Sequence, residues 1–478
     1  MATEPGAGPS TGTGTENGKG GRRGGGTAPG AADRPDAGHL PPGASRTRQL
    51  LAASVGNATE WFDWYAYSFL AVYFSAQIFP GGVDDPLVPL LSTFAVFAGG
   101  FFMRPIGGLL LGSLADRRGR RTALTVTILA MGAGSLLIAV LPTYATAGAL
   151  APALLVLARL VQGLSVGGEF AASTTFLVES AGPGRRGLYS SFQYVSTTVG
   201  QLLASGTAAL LAALLTQEQM ETWGWRVVFL LGALLSVTGF WIRRGAAETH
   251  HRAAPGSRPG LFEALTRHPR QSLLIVGITL GGTITYYTWT AYLPTYATVN
   301  EDIAAGDALT VSTVALAVFA LLQPLAGALS DRVGRRPLLI AFAGGSALLT
   351  VPLLAALTGS PWSLLLVALA GMTLLSGYTA IAAAVNAEVF PARVRAAGIG
   401  FPYSLSVALF GGTAPYVGTW LEREGRPELF AWWVVLLCAV SLLVYLRLPE
   451  TAHRPLDGQD HGPRDAAAGP ADSAGRPA

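Results

Sequence analysis

The sequence predicts an all-α polytopic membrane protein with twelve transmembrane helices arranged as two six-helix halves. Three observations carry this. Half of the 478 residues are hydrophobic and only 13% are charged, and the mean hydropathy is +0.43, outside the usage of soluble domains. Apolar stretches of about 20 residues, enough to cross a hydrocarbon core of roughly 30 Å, recur along the middle of the chain. They must be helical, because lipid offers no partner to unpaired backbone groups. Finally, one pattern occurs twice, as "GSLADRRGRRTAL" from Gly112 to Leu124 and as "GALSDRVGRRPLL" from Gly327 to Leu339.

In order, spans are expected at 50–78, 88–113, 122–141, 148–178, 188–215, 224–243, 272–297, 308–330, 337–357, 361–386, 396–420 and 428–447. Residues 1–48 and 453–478 have no apolar core and read as disordered cytoplasmic tails. The halves are then 49–243 and 272–452, joined by a cytoplasmic loop at 244–271. The connections "ADRRGRR", "AGPGRRG", "SDRVGRRP" and "EVFPARVRAAG" are rich in arginine, whereas "FPGGVDDPLVP", "LPTYATA", "TQEQMETWG", "TVNEDIAAGD" and "TGSP" hold no Lys or Arg. Positive residues stay inside, which puts both termini in the cytoplasm of a plasma (inner) membrane. Only "EREGRP", from Glu422 to Pro427, breaks the rule.

Each copy of the doubled pattern falls in the turn after the second span of a half. Gly112 and Gly327 let helices approach closely. Asp116 and Asp331 are placed to meet a helix N-terminus or an arginine across the cytoplasmic face, beside Arg117, Arg120, Arg121, Arg332, Arg335 and Arg336. These eight residues form a candidate cytoplasmic gate, favoured over a plain topology anchor because a carboxylate adds nothing to positive-inside anchoring.

The doubled loop resembles the signature of the major facilitator superfamily. "GNATEWFDWYAYSF", "GGFFMRPIGG", "RLVQGLSVGGEF", "EVFPARVRAAGIG" and "ALFGGTAPYVGTWL" are similar to its metabolite:proton symporter family. "SSFQYVSTTVGQLLA" and "YTAIAAAVNAEVFPARVRA" look most like the α-ketoglutarate permease branch, with the proline/betaine branch next. The resemblance implies the major facilitator fold, a small-molecule solute, protons as the coupled ion and a monomer in the lipid bilayer. Arg159, Gln162 and Gly163 resemble that superfamily's R-x-x-Q-G signature, which implies a role in coupling.

A charge at mid-membrane costs roughly 3 kcal/mol or more, so each one is a functional candidate. Glu60 and Asp63 lie three apart on the first span, and two close carboxylates cannot easily both ionise, which suits a proton carrier. Pairing with arginine to hold helices together is the competing role. Arg159 and Glu169 on the fourth span join them as proton-coupling candidates. Arg104 precedes Pro105 on the second span and matches a solute carboxylate bidentately, or else pairs with Glu60 or Asp63. Tyr67, Gln162, Tyr287, Tyr292, Gln323, Tyr378 and Tyr403 complete the candidate solute-binding set as hydroxyl and amide donors. Tyr286 and Trp289 sit among them on the seventh span, and aromatic residues also serve as membrane-interface belts.

Other chemistries find no support. "GLSVG" matches G-x-S-x-G but lies inside a membrane span. All six histidines fall in loops or tails, so no metal site or catalytic triad is expected. No phosphate loop or other cofactor motif occurs, and the arginines are scattered over turns rather than along one nucleic-acid-binding face. The chain therefore reads as a non-enzymatic proton symporter importing a small organic acid such as α-ketoglutarate or another dicarboxylate. Uptake of a zwitterion such as proline or glycine betaine is the alternative, for which an aromatic cage would suit the quaternary ammonium. A non-transporting receptor is the alternative of another class.

Overall fold

The computed structural model describes residues 46–81, 85–167, 174, 177–178, 181–182, 184–244, 269–389 and 395–452, all within the unit Ser45–Ala478. The expected tails, most of the loop 244–271 and Glu169 lie outside the described residues, as do the side chains of Gly112, Asp116, Arg117, Arg120 and Arg121.

The first half comprises α1 (Arg46–Ile78), α2 (Val88–Arg118), α3 (Arg120–Ala139), α4 (Leu150–Val166), α5 (Arg186–Leu214) and α6 (Trp225–Arg244). The second comprises α7 (Pro269–Tyr287), α8 (Ala305–Val333), α9 (Arg335–Ala355), α10 (Pro361–Thr379), α11 (Arg395–Ser406) and α12 (Glu428–Arg447). Three of these continue beyond their first segment. A π-helical turn at Thr288–Tyr292 carries α7 into Leu293–Asn300, and another at Val407–Gly412 carries α11 into Ala414–Arg423. After a break at Ala380 and Ile381, α10 resumes as Ala382–Val389.

Among the described residues, eight helices are long and apolar enough to cross a membrane on those grounds alone. The four that fall short have specific reasons. Only the first part of α4 is described, while α1, α7 and α11 carry runs of Asn, Glu, Asp, Ser, Thr and Tyr. Such side chains are tolerated at membrane depth where they face protein or a cavity rather than lipid.

The doubled motif is built the same way in both halves. Gly119 separates α2 from α3 with φ 92°, and Gly334 separates α8 from α9 with φ 100°. Residues with a Cβ rarely enter that region, so the glycine of D-R-x-G-R-R is the element that turns one helix sharply into the next. Within the first half α2 packs on α4, α3 on α6, and α1 on α5; within the second α9 packs on α12, α7 on α12, and α8 on α10. Between the halves α5 crosses α8 and α2 crosses α11, so exchanging the halves maps one crossing onto the other.

Close approach makes the α2–α4 packing possible. A Cβ on Gly163 would run into the Gly100 carbonyl, and one on Gly167 into the Arg104 carbonyl. Replacing Gly163 with valine is expected to destabilise the first half by about 3 kcal/mol, since the obstacle is main chain that cannot move aside. Thermal unfolding of the purified protein in detergent checks this.

Candidate functional site

Mid-membrane polar residues divide into two groups because α1 presents two faces. Asn57, Glu60 and Trp61 turn toward a small cavity between the halves, of about 20 Å³, whose other walls are Arg104, Val166, Gly167, Tyr403 and Ser404. Asp63 instead turns into the first half. Three residues advance an α-helix by about 300°, so Glu60 and Asp63 diverge by about 60° and serve different neighbourhoods.

Arg104 is 5% exposed. Its guanidinium lies 4.1 Å from the Phe101 ring centre, 4.8 Å from that of Trp64 and 5.2 Å from that of Trp61, with Tyr287 and Tyr403 close by. Among the described residues Nε and Nη2 have no hydrogen-bond partner. The aromatic faces attract the cation and hold it in place. Its N–H groups are unused on the wall of the cavity.

Asp63 is fully buried, and among the described residues neither carboxylate oxygen meets a donor in good hydrogen-bond geometry, with Ser135 close by. Arg159, also fully buried, is the nearby cation: its Nη2 donates to the Asp63 main-chain carbonyl at 3.3 Å, and its guanidinium lies 3.8 Å over the Tyr67 ring centre. Room for the carboxylate comes from α6, where a Cβ on Gly232 would occupy the place of Asp63 Oδ1.

The remaining expected residues scatter. Tyr67 donates to the Thr93 carbonyl at 2.9 Å, and Gln162 to Ser135 Oγ at 2.9 Å, so both serve the interior of the first half. Tyr292 packs against Phe94 and Phe430. Gln323 accepts from Thr379 Oγ1 at 3.0 Å inside the second half. Tyr287, Tyr378 and Tyr403 gather where the halves meet, joined by Tyr194 of α5 and by Tyr65 of α1, whose ring stacks on that of Tyr287 at 6.5 Å. Tyr65, Tyr194 and Gln201, which donates to the Tyr286 hydroxyl at 3.1 Å, are missing from the set expected from sequence. The only sequence signal for them was their polarity within apolar helices.

On the side of the doubled motif, Asp331 ties the halves together. It accepts from the main-chain N–H groups of Gly187 and Leu188 at 2.8 and 2.9 Å, at the start of α5, and from Arg335 Nη1 at 2.9 Å. This is the favoured position for a carboxylate, where a helix has N–H groups to satisfy. Gly187 and Gly327 meet main chain to main chain at the same crossing. Arg335 also reaches Glu388 Oε1 at 3.6 Å, and Arg186 does so at 3.9 Å. Arg336 donates to the Leu446 carbonyl at 2.6 Å, while Arg332 is exposed.

Glu450 caps α9 in turn, accepting from the main-chain N–H groups of Arg335 and Arg336 at 2.9 and 3.0 Å. Burial pushes its carboxyl upward, but N–H donation from Ala452, Arg335, Arg336 and Thr451 outweighs this and holds it below the usual range. A depressed carboxyl stabilises the fold above its ordinary pKa and loses that contribution as pH falls through the folded value. Glu450→Gln is therefore expected to lower the melting temperature at pH 7, with the gap to wild type closing as the pH falls below the ordinary carboxylate range.

On the opposite side, Arg423 Nε donates to Asp85 Oδ2 at 2.5 Å, again joining the halves. That hydrogen bond holds the Asp85 carboxyl below its usual range, so the bridge persists in mild acid. It accounts for the arginine that broke the charge rule.

The model of the Major Facilitator Superfamily matches residues 53–302 and 278–473. The chain is 43% identical to the alpha-ketoglutarate permease of Escherichia coli K12, over 84% of this chain and 93% of that protein. It is 34% identical to the citrate-proton symporter of Salmonella typhi, over 84% and 94%, and 30% identical to the proline/betaine transporter of Salmonella typhimurium, over 86% and 85%. A partially occluded, inward-open structure of the xylose transporter XylE from E. coli superposes with a TM-score of 0.67 at 18% identity, covering 86% of this chain and 99% of that one; this likeness shows the fold alone. A duplicated six-helix architecture, polar residues gathered between its halves and these relatives lead to one conclusion: the chain belongs to the major facilitator superfamily and is a membrane transporter, not an enzyme.

Proposed function

We propose that the protein imports a small organic acid, α-ketoglutarate or a similar dicarboxylate, together with protons by alternating access, from an inner membrane with both termini in the cytoplasm. The observation that carries this is Arg104: a buried guanidinium with unused N–H groups on the wall of a cavity between the halves. An arginine fork fits a carboxylate with two parallel hydrogen bonds. The α-ketoglutarate and citrate relatives agree with an acidic solute.

Asp63, with Arg159 beside it, takes the coupled proton, and Glu60 adjusts the charge of the cavity. A proton is needed because an inside-negative potential opposes anion entry by roughly 2.3 kcal/mol per charge at 100 mV. The Asp331 contacts close the cytoplasmic side and the Asp85–Arg423 bridge closes the outer side, so with both formed the solute space is occluded.

The proline/betaine relative supports a zwitterionic solute as second reading. Against it, the aromatic faces of the first half nearest the cavity, those of Trp61, Trp64 and Phe101, already hold the Arg104 guanidinium, a cation that would repel a quaternary ammonium. Uptake of labelled α-ketoglutarate and, separately, glycine betaine into proteoliposomes with an imposed pH gradient separates the two. Accumulation of α-ketoglutarate that an uncoupler collapses is the expected result. Accumulation of betaine alone would overturn the organic-acid reading and leave the fold untouched.

A further inference from the structure

A dicarboxylate held by Arg104 still has a second carboxylate to place, and the second half offers no cation for it. No charged residue or histidine occurs in 272–300, 308–330, 337–387, 396–421 or 429–446, which together make up the membrane interior of that half. What it offers instead are phenols. Tyr287 of α7, Tyr378 of α10 and Tyr403 of α11 interact with Tyr194 of α5, and the hydroxyls of Tyr194 and Tyr403 are hydrogen-bonded.

This cluster adjoins Arg104 through Tyr403, which lines the same cavity, and through Tyr287. The hydroxyls of Tyr287 and Tyr378 are buried and, among the described residues, meet no partner in good hydrogen-bond geometry, although Arg104 lies beside the first and Thr279 beside the second. Their rings are seated by glycine: a Cβ on Gly411 would collide with the ring of Tyr287, and one on Gly282 with that of Tyr378. Buried hydroxyls left without partners are costly, so a cluster that keeps two of them open is built to receive an acceptor.

We propose that Tyr194, Tyr287, Tyr378 and Tyr403 bind the second carboxylate of the solute, so that a dicarboxylate is recognised by one arginine at one end and neutral hydroxyl donors at the other. The proposal rests on the organic-acid reading above and names how that site selects its substrate class. Hydroxyls donate short, charge-assisted hydrogen bonds to a carboxylate. Because they bring no charge of their own, the loaded site holds two negative charges against Arg104 and a proton. Since Tyr194 belongs to the first half and the other three to the second, the bound carboxylate also draws the halves together around it. A monocarboxylate would engage Arg104 and leave the hydroxyls unanswered.

The test is competition against labelled α-ketoglutarate uptake in proteoliposomes by glutarate, a dicarboxylate, and by 2-oxobutyrate, a monocarboxylate. Tyr378→Phe keeps the ring over Gly282 and removes only the hydroxyl; Tyr287→Phe repeats the change at the other open phenol. Each variant is expected to need roughly tenfold more glutarate for half-inhibition, the loss typical of one charge-assisted hydrogen bond, with 2-oxobutyrate unchanged. Parallel weakening of both competitors, or no change in either, would overturn the proposal. Failure of the wild type to accumulate α-ketoglutarate would instead overturn the organic-acid reading, and this inference with it.

Discussion

Replacing Arg104 with alanine is expected to abolish solute uptake while leaving the protein inserted and folded. The expectation follows from what the residue does at rest. Its guanidinium stacks on Phe101, Trp64 and Trp61, but Nε and Nη2 bind nothing. Removing it breaks no hydrogen bond from those two atoms, although it takes a neighbour from the Tyr287 hydroxyl. It does leave an incoming carboxylate without a counter-charge, a loss of roughly 3 kcal/mol or more, which means over 100-fold in affinity. Arg104→Lys retains the charge but not the fork, so an intermediate rate is expected. Uptake assays beside a thermal melt of each variant provide the check; wild-type rates in Arg104→Ala would remove the residue from the site.

Asp63→Asn separates solute movement from proton movement. A fully buried carboxylate with only Ser135 and the buried Arg159 beside it sits where the presence or absence of one proton alters the balance of charge most. Asparagine has the shape of the protonated acid but cannot release a proton. The variant is expected to exchange labelled for unlabelled solute across the membrane at rates near wild type, while accumulation driven by a pH gradient falls to equilibration. Retained uphill accumulation would exclude Asp63 as the proton carrier. Glu60→Gln, on the cavity side of α1, supplies the contrast, because it changes solute affinity rather than coupling.

Much of the architecture was legible because it rests on repetition and on solvent. The spans follow from runs of apolar residues, and the duplicated halves from a motif whose glycine must adopt positive φ at both Gly119 and Gly334. Where Asp331 bonds was partly legible too: it meets the N-terminus of α5 in the other half, while the arginine it takes, Arg335, stands four residues on in its own motif rather than across the face.

The directions of side chains were harder to read. Glu60 and Asp63 are close enough in sequence to suggest a pair, yet the small angular difference between them is enough to send one to the cavity and the other into the first half. Tyr67 and Gln162 look like solute ligands by type, but their hydrogen bonds go to Thr93 and Ser135. Tyr194 had no signal beyond being a phenol in an apolar helix, and it gains significance only through neighbours from the other half. The π-helical turns at Thr288–Tyr292 and Val407–Gly412 have no composition rule that announces them.

The central claim is that solute and proton enter together, and it is tested most directly by proton movement caused by the solute itself. Proteoliposomes loaded with a pH-sensitive dye, with no gradient imposed, would receive α-ketoglutarate from outside. The account predicts acidification of the interior that requires solute, disappears in Asp63→Asn and is absent with Arg104→Ala. Uptake of labelled α-ketoglutarate with no accompanying change in internal pH would contradict it.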